Sequence, residues 1–268
     1  MDNVATTPGT DSYKNRQPYP TLAPYVLNGY NEFNSWYEGL AAKVTVRVAH
    51  NLNLLANYTH AKTMDVVDSF LSTGSISPTR YTMALNRAPA GFNIPNIFNF
   101  SYVYNLPRMT QNRFFNAIIG GWSTSGIFSA HTGTPYYVVL QSDNENIGSA
   151  GRNTEFPNFI GDPTSGFTQS TNEWFNTAAY ALPAFGTRGN GNRHALYAQS
   201  VTSWNASLYK QWAFKEQKYV ELRGEAYNLP NSHHFSAPGV GFGTSSFGKI
   251  SSTSDSARSI QVGLKLHF

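Results

Sequence analysis

The sequence predicts an all-β fold, a portion of an antiparallel transmembrane β-barrel with about seven long strands, long extracellular loops and short periplasmic turns. Three observations carry this reading. The last ten residues put Ile260, Val262, Leu264, Leu266 and Phe268 on one face and polar residues or Gly on the other. That is the period-two pattern of a strand with one apolar and one wet face. Aromatic residues make up 15% of the 268-residue chain and charged residues only 13%, against about 25% charged in globular domains. No run of about 18 apolar residues offers a membrane helix, whereas a barrel strand needs only half its residues apolar. Finally, the strand-like segments are joined alternately by short and long connections, as in outer-membrane barrels.

Residues 1–35 are rich in Pro, Asn, Tyr and Thr without a period, and read as an extracellular loop segment preceding a barrel portion at 36–268. The first strand is expected near 38–49, with Leu40, Ala42, Val44, Val46 and Val48 on one face. A His50-Asn51 turn leads to a strand at 52–61, where Leu55 breaks the alternation. Residues 62–95 read as a long loop. Phe98, Phe100, Tyr102 and Tyr104 then mark a strand at 97–105. Leu106 to Ile119 reads as a connection, and Gly120-Gly121-Trp122 opens a strand towards Leu140 with a bulge at Thr132 to Pro135. Residues 141–202 form the longest aperiodic segment, and a loop of that length points to function. Strands return at 203–213 and 218–228, joined by a tight turn at Phe214 to Gln217. A Gly, Ser and Pro-rich loop at 229–256 precedes the terminal strand.

If the chain ends on the periplasmic side, loops 62–95, 141–202 and 229–256 all fall outside. Tyr104, Trp122, Trp212 and Phe268 then gather near the periplasmic boundary, where an aromatic girdle belongs. Single-chain bacterial barrels have even strand numbers, and open sheet edges are not tolerated in lipid. Seven strands therefore suggest the C-terminal part of a larger barrel. The start, Met1-Asp2-Asn3-Val4, shows no basic n-region or apolar h-region of a signal peptide, so either the chain is cytosolic, which the strand pattern resists, or the natural N-terminus precedes Met1.

The chemistry-bearing residues give bland readings. The chain has no Cys, which excludes disulfides and thiolate metal sites. Net charge is +4 without a Lys/Arg cluster, so no nucleic acid partner is expected. His233-His234 lack a third ligand at useful spacing. Asp143-Asn144-Glu145-Asn146 lack an ordered Ca²⁺ pattern. Glu221, Arg223 and Glu225 read as an ion-pair ladder on the lumen face. No nucleophile-elbow motif is present, and Arg188-Gly189-Asn190-Gly191-Asn192-Arg193 lacks the ending of a phosphate loop and reads as flexible loop. No enzyme activity, metal or cofactor is expected.

Several ordered segments resemble TonB-dependent outer-membrane receptors, and most of all the large Oar-like kind with a carboxypeptidase-regulatory-like N-terminal domain. They are Trp36 to Leu40, Leu54 to Lys62, Phe100 to Pro107, Gly120 to Phe128, Trp174 to Tyr180, Leu222 to Asn231, Phe247 to Ile250 and the terminal strand. The ordered set, running from about residue 15 to the end, is more specific than any one segment. The resemblance implies a barrel of about 22 strands with a plugged lumen, driven through TonB. It also implies that the plug, the TonB-contacting segment and roughly two-thirds of those strands lie outside this chain.

The expected function is uptake of a nutrient ligand across the bacterial outer membrane. The expected partners are outer-membrane lipid, the barrel-assembly machinery, the missing plug and TonB system, and an unknown extracellular ligand. Val262, Leu264, Leu266 and Phe268 are the candidate assembly signal, read by strand addition. Trp174 and Phe175 are candidate ligand contacts in loop 141–202. Two alternatives remain open at this point: an extracellular β-sandwich binding module and an outer-membrane barrel enzyme.

Overall fold

The computed structural model describes residues 5–22, 34–48, 51–66, 86–107, 112–148, 155–193, 196–215 and 218–268. Seven long strands form one antiparallel sheet in strict chain order. They are β1 (Trp36–Val48), β2 (Leu52–Asp65), β3 (Asn96–Asn105), β4 (Trp122–His131), β5 (Val201–Lys215), β6 (Lys218–Tyr227) and β7 (Ser259–His267). Each pairs only with its neighbours in sequence, apart from a two-residue segment, Ala88–Pro89, that extends the sheet beside Met64 and Asp65.

The register explains why this sequence makes one sheet. Residues directly opposite across strands project to the same side. Val44 faces Ala56, which faces Phe100, which faces Phe128, which faces Trp204. Further along, Leu208 faces Gly224, which faces Val262, and Leu222 faces Leu264. The apolar faces of all seven strands thus coincide in one continuous wall. A one-residue slip anywhere would turn a whole strand inside out. On the opposite side run Lys43, Asn57, Asn99, Ser129 and Asn205, and then Ser207, Glu225 and Gln261.

β1 and β7 are the two edges, and among the described residues they do not pair with each other. Every residue of β1 is exposed, as is every residue of β7 except His267. Their outer N–H and C=O groups therefore have no ladder partner within the described sheet.

Several expectations change. β2 continues to Asp65, four residues past the expected end. The strand expected from Trp122 to Leu140 stops at His131. Beyond it, Pro135–Tyr136 pair with Leu196–Tyr197, and Val139–Leu140 run parallel to Gly241–Phe242. A Pro-Gly interruption here redirects the chain out of the sheet rather than bulging it. The connection from β3 to β4 contains a helix, α1 (Arg113–Ile119), whose first turn is capped by the Asn112 side chain accepting from Phe114 N and Phe115 N. The β5–β6 connection is tighter than expected, since β5 reaches Lys215 and Lys215 pairs with Lys218. Glu216 and Gln217 lie outside the described residues, as do His50 of the first expected turn and residues 67–85 of the loop after β2.

The long connections fold into a cap at one end of the sheet. Its core is aromatic: Phe175 packs against Tyr136, Tyr180 and Phe247, and Phe242 packs on Phe247. A second cluster joins Ala88, Tyr137, Val139 and Phe156. The segment 5–17 is tied onto this cap, with Ala5 N donating to Ile147 O and Arg16 donating to Asn146 O.

Candidate functional site

The polar face of the sheet carries a connected network on β5, β6 and β7. Arg223 lies between Glu221 (2.9 Å) and Glu225 (3.4 Å) and stacks over Tyr209. Gln211 donates to Glu221, and Gln261 donates to Glu225. The expected ladder of alternating charges therefore forms, extended by two amides from neighbouring strands. Beside it is a concavity of about 350 Å³, lined on this face by Ser101, Val103, Ser125, Ile127, Ser207 and Glu225. Val103 and Ile127 are exposed there, and Leu55 lies in the same row as Ile127 through Ser101. The break that Leu55 makes in the alternation of β2 is thus part of a small apolar patch on an otherwise polar face.

The cap places the two candidate ligand contacts differently from the expectation. Phe175 is 2% exposed and is a core residue of the cap. Trp174 is half-buried, with its ring set edge-on to Phe235 at 5.5 Å. A ligand would have to displace the aromatic packing to reach the Phe175 ring, so in this conformation only Trp174 offers surface. Burial pushes the Tyr136 and Tyr180 hydroxyls well above the ordinary phenol range, Tyr180 adding to the effect on Tyr136. Both are neutral packing groups.

The tract Arg188 to Arg193, expected to be flexible, is a packed strap. A Cβ on Gly189 would come within 2.2 Å of Phe156 O, and one on Gly191 within 2.2 Å of Pro157 O. Only glycine allows the strap to lie this close. Asn190 then exchanges hydrogen bonds with Asn158 and Phe159. Arg188 pairs with Glu145 at 2.8 Å. Arg193, with its side chain fully buried, donates to Asp65 Oδ1 (3.0 Å) and Asn86 O (2.8 Å) and lies over the Tyr137 ring. One guanidinium thus ties the end of β2 to the cap.

The acidic tract at 143–146 is consumed locally. Asp143 accepts from the backbone of Ile147 and Gly148, and buried Glu155 accepts from Asn144 N and Glu145 N. Among the described residues no three His, Asp or Glu side chains gather as metal ligands. His233 is exposed and His234 buried, pointing apart as adjacent loop residues do. His234 Nδ1 faces Asp255 Oδ2 at 2.6 Å, while Nε2 accepts from Thr202 N at 3.0 Å. The ring is therefore held as the Nδ1–H tautomer, with both nitrogens occupied. Partial burial raises the Asp255 carboxyl, but hydrogen bonds from the His234 side chain and backbone outweigh this and hold it below the usual range. The pair closes the cap over β5.

The model of the outer membrane beta barrel domain matches residues 2–261, nearly the whole chain. The chain belongs to this family. No curated protein and no solved structure matches it. Membership assigns the two faces of the sheet. The continuous apolar wall is the lipid-facing surface of an outer membrane barrel domain, and the Glu221–Arg223–Glu225 face is its lumen. It also places the domain in the bacterial outer membrane. No helix among the described residues is long and apolar enough to cross a membrane, which says nothing of strands.

In this barrel domain Val262, Leu264 and Leu266 are exposed on the lipid face of edge strand β7, and Phe268 follows the strand at 86% exposed. Tyr104, Trp122 and Trp212 share that face at the short-turn end, where a girdle was expected; Trp122 and Trp212 meet edge-on at 6.5 Å. Three features escaped the sequence reading. Helix α1 is too short to show a period. Lys210 lies on the lipid face although it is charged. The Arg193–Asp65 pair joins residues 128 positions apart, and no local signal announces it.

Proposed function

We propose that the chain is the C-terminal portion of the barrel of a TonB-dependent receptor that takes up a nutrient ligand across the outer membrane. The observation that supports this best is the unclosed wall. Seven consecutive strands share one lipid-facing surface, yet both edges are unpaired among the described residues. Edge N–H and C=O groups facing hydrocarbon cost several kcal/mol each, so further strands must complete the ring. A wide ring leaves a lumen that a plug can fill, and the polar ladder with its Leu55, Val103 and Ile127 patch suits a protein surface better than a water channel. Short periplasmic turns and long outer loops orient the cap to the cell exterior, where ligand arrives. The ligand-contact role then falls to the exposed parts of the cap, with Trp174 the remaining candidate. The reading includes no catalytic step.

The test is an antibody against the largely exposed segment 164–172, applied to outer membranes of the source bacterium. The expected result is a polypeptide several times the length of this chain that cross-links in cells to TonB. A species of this chain's own size, closing its wall by pairing copies and giving no TonB cross-link, overturns the proposal.

A further inference from the structure

Lys210 stands on the lipid face of β5, opposite Trp122 of β4 and Leu222 of β6. Leu222 in turn faces Leu264, so Lys210 stands on the apolar wall, beside the Trp122 and Trp212 girdle. Of the other described strand charges on this face, Glu38 and Lys62 sit opposite each other at the long-loop end, and Lys218 is the first residue of β6 at the short-turn end. A lysine turned to lipid is unfavourable, the more so the deeper it sits. Yet Lys210 is only 3% exposed, and the reason is α1.

The Lys210 ammonium donates to the backbone carbonyls of Asn116 (3.2 Å), Ile118 (3.5 Å) and Gly120. Trp122 Nε1 donates to Ile118 O at 3.0 Å, and Trp212 Nε1 to Ala117 O at 2.8 Å. The carbonyls of Ala117, Ile118 and Gly120 lie in the last turn of α1 or just past it, where intrahelical donors run out, while that of Asn116 also accepts from the capping Gly120 N. A cation at that end also complements the helix dipole. Three side chains of the lipid-facing wall therefore hold α1 by its C-terminus, and the helix must lie outside the barrel, against the wall, not in the lumen.

Successive helical residues turn by about 100°. With Asn116 and the last-turn carbonyls towards the wall, Phe114 and Ile118 point away from it, with Phe115 beside them and Ile119 turned partly back towards the wall. Phe114 is 70% exposed, and the other three are about half exposed. Two phenylalanines and two isoleucines on seven residues make an apolar patch that a water-facing turn would not display. The patch is continuous with the lipid-facing wall and sits on two tryptophans, the residue of the membrane interface.

We infer that α1 is a lipid anchor. It seats Phe114, Phe115 and Ile118 at the boundary between acyl chains and headgroups of the leaflet on the short-turn side, and Lys210 fastens it to the barrel wall. The inference rests on the family assignment and not on the receptor reading. It covers Lys210 and orders the longest of the short-side connections in one arrangement.

The chain has no Cys, so single nitroxide labels can be placed at Phe114→Cys, Ile118→Cys and, as a reference, Asn112→Cys. The intact outer-membrane protein carrying the chain, freed of any cysteine elsewhere, is reconstituted in vesicles of phosphatidylethanolamine and phosphatidylglycerol. Collisions with dissolved oxygen and with a water-soluble nickel chelate then report depth. Labels at 114 and 118 are expected to favour oxygen over nickel, and the label at 112 to do so less. Preference for nickel at both positions overturns the anchor. Labels immobile and shielded from both quenchers also overturn it, since a protein partner then covers the patch. Lys210→Met, which leaves an apolar residue facing lipid, is expected to leave the barrel folded while the label at 118 gains mobility. An unchanged spectrum in that variant refutes the fastener role.

Discussion

Replacing Leu264 by Arg tests the assignment of faces at a well-exposed point of the wall. Leu264 is 72% exposed on β7 and faces Leu222 in the ladder. The strand runs from Ser259 to His267, so Leu264 is one residue from its midpoint, Gly263. At about 3.3 Å rise per residue and a tilt of about 40°, one residue is about 2.5 Å of depth. The apolar band is about 25 Å tall, so the new guanidinium would start near the bilayer middle. An Arg there costs roughly 2–4 kcal/mol. Gln261 is three residues away and on the other face, within reach of Glu225 and Tyr227. Gln261→Arg places a cation beside a carboxylate in a wet lumen, so a change within about 1 kcal/mol is expected. The assay is a urea titration of the full-length protein refolded into lipid vesicles, comparing both variants with the parent. Equal losses for the two substitutions would refute the register, because no arrangement with Leu264 in lipid and Gln261 in the lumen predicts them.

Three further outcomes are expected. Arg193→Met removes the buried guanidinium that Asp65, Asn86 O and Tyr137 share and should loosen the cap by about 3–5 kcal/mol of local stability, read as faster hydrogen exchange through 155–193; exchange at the parental rate would show that the guanidinium holds nothing. Deleting Phe268 should cost the finished barrel at most ~1.5–3 kcal/mol, the value of burying one such side chain. If the terminal strand is read by strand addition, the same deletion should leave unassembled protein in the periplasm, and an unchanged level of surface-exposed protein would exclude that role. Proteinase K added to intact cells should cut first within 164–172, which is largely exposed. Cleavage near 49–51 with that segment intact would invert the orientation.

The sequence by itself determined the wall. Side-chain direction in a strand alternates with every residue, so Val44, Val46 and Val48, or Phe98, Phe100 and Tyr102, declare their shared face without reference to any other part of the chain. Register then follows, since matching seven apolar faces leaves few ways to pair them. Polar residues between them foretold the lumen ladder of Glu221, Arg223 and Glu225 for the same reason. What the sequence could not declare lies where structure depends on distant residues. The cap looked irregular because its strands are two residues long and its core is assembled from Tyr136, Phe175, Tyr180 and Phe247, which have no common period. Phe175 looked like a ligand contact for its aromatic ring, and only the packing of the cap showed that ring to be core. The strap at 188–193 looked flexible for its glycines, which instead permit contact with a backbone some 30 residues earlier. Lys210 is the sharpest case. Local pattern makes it an error on the lipid face, and only the tertiary fold supplies the helix carbonyls of Asn116, Ile118 and Gly120 that take up its charge. Period-two burial is a property of neighbours along the chain, whereas the satisfaction of a buried charge is a property of whatever the fold brings to it.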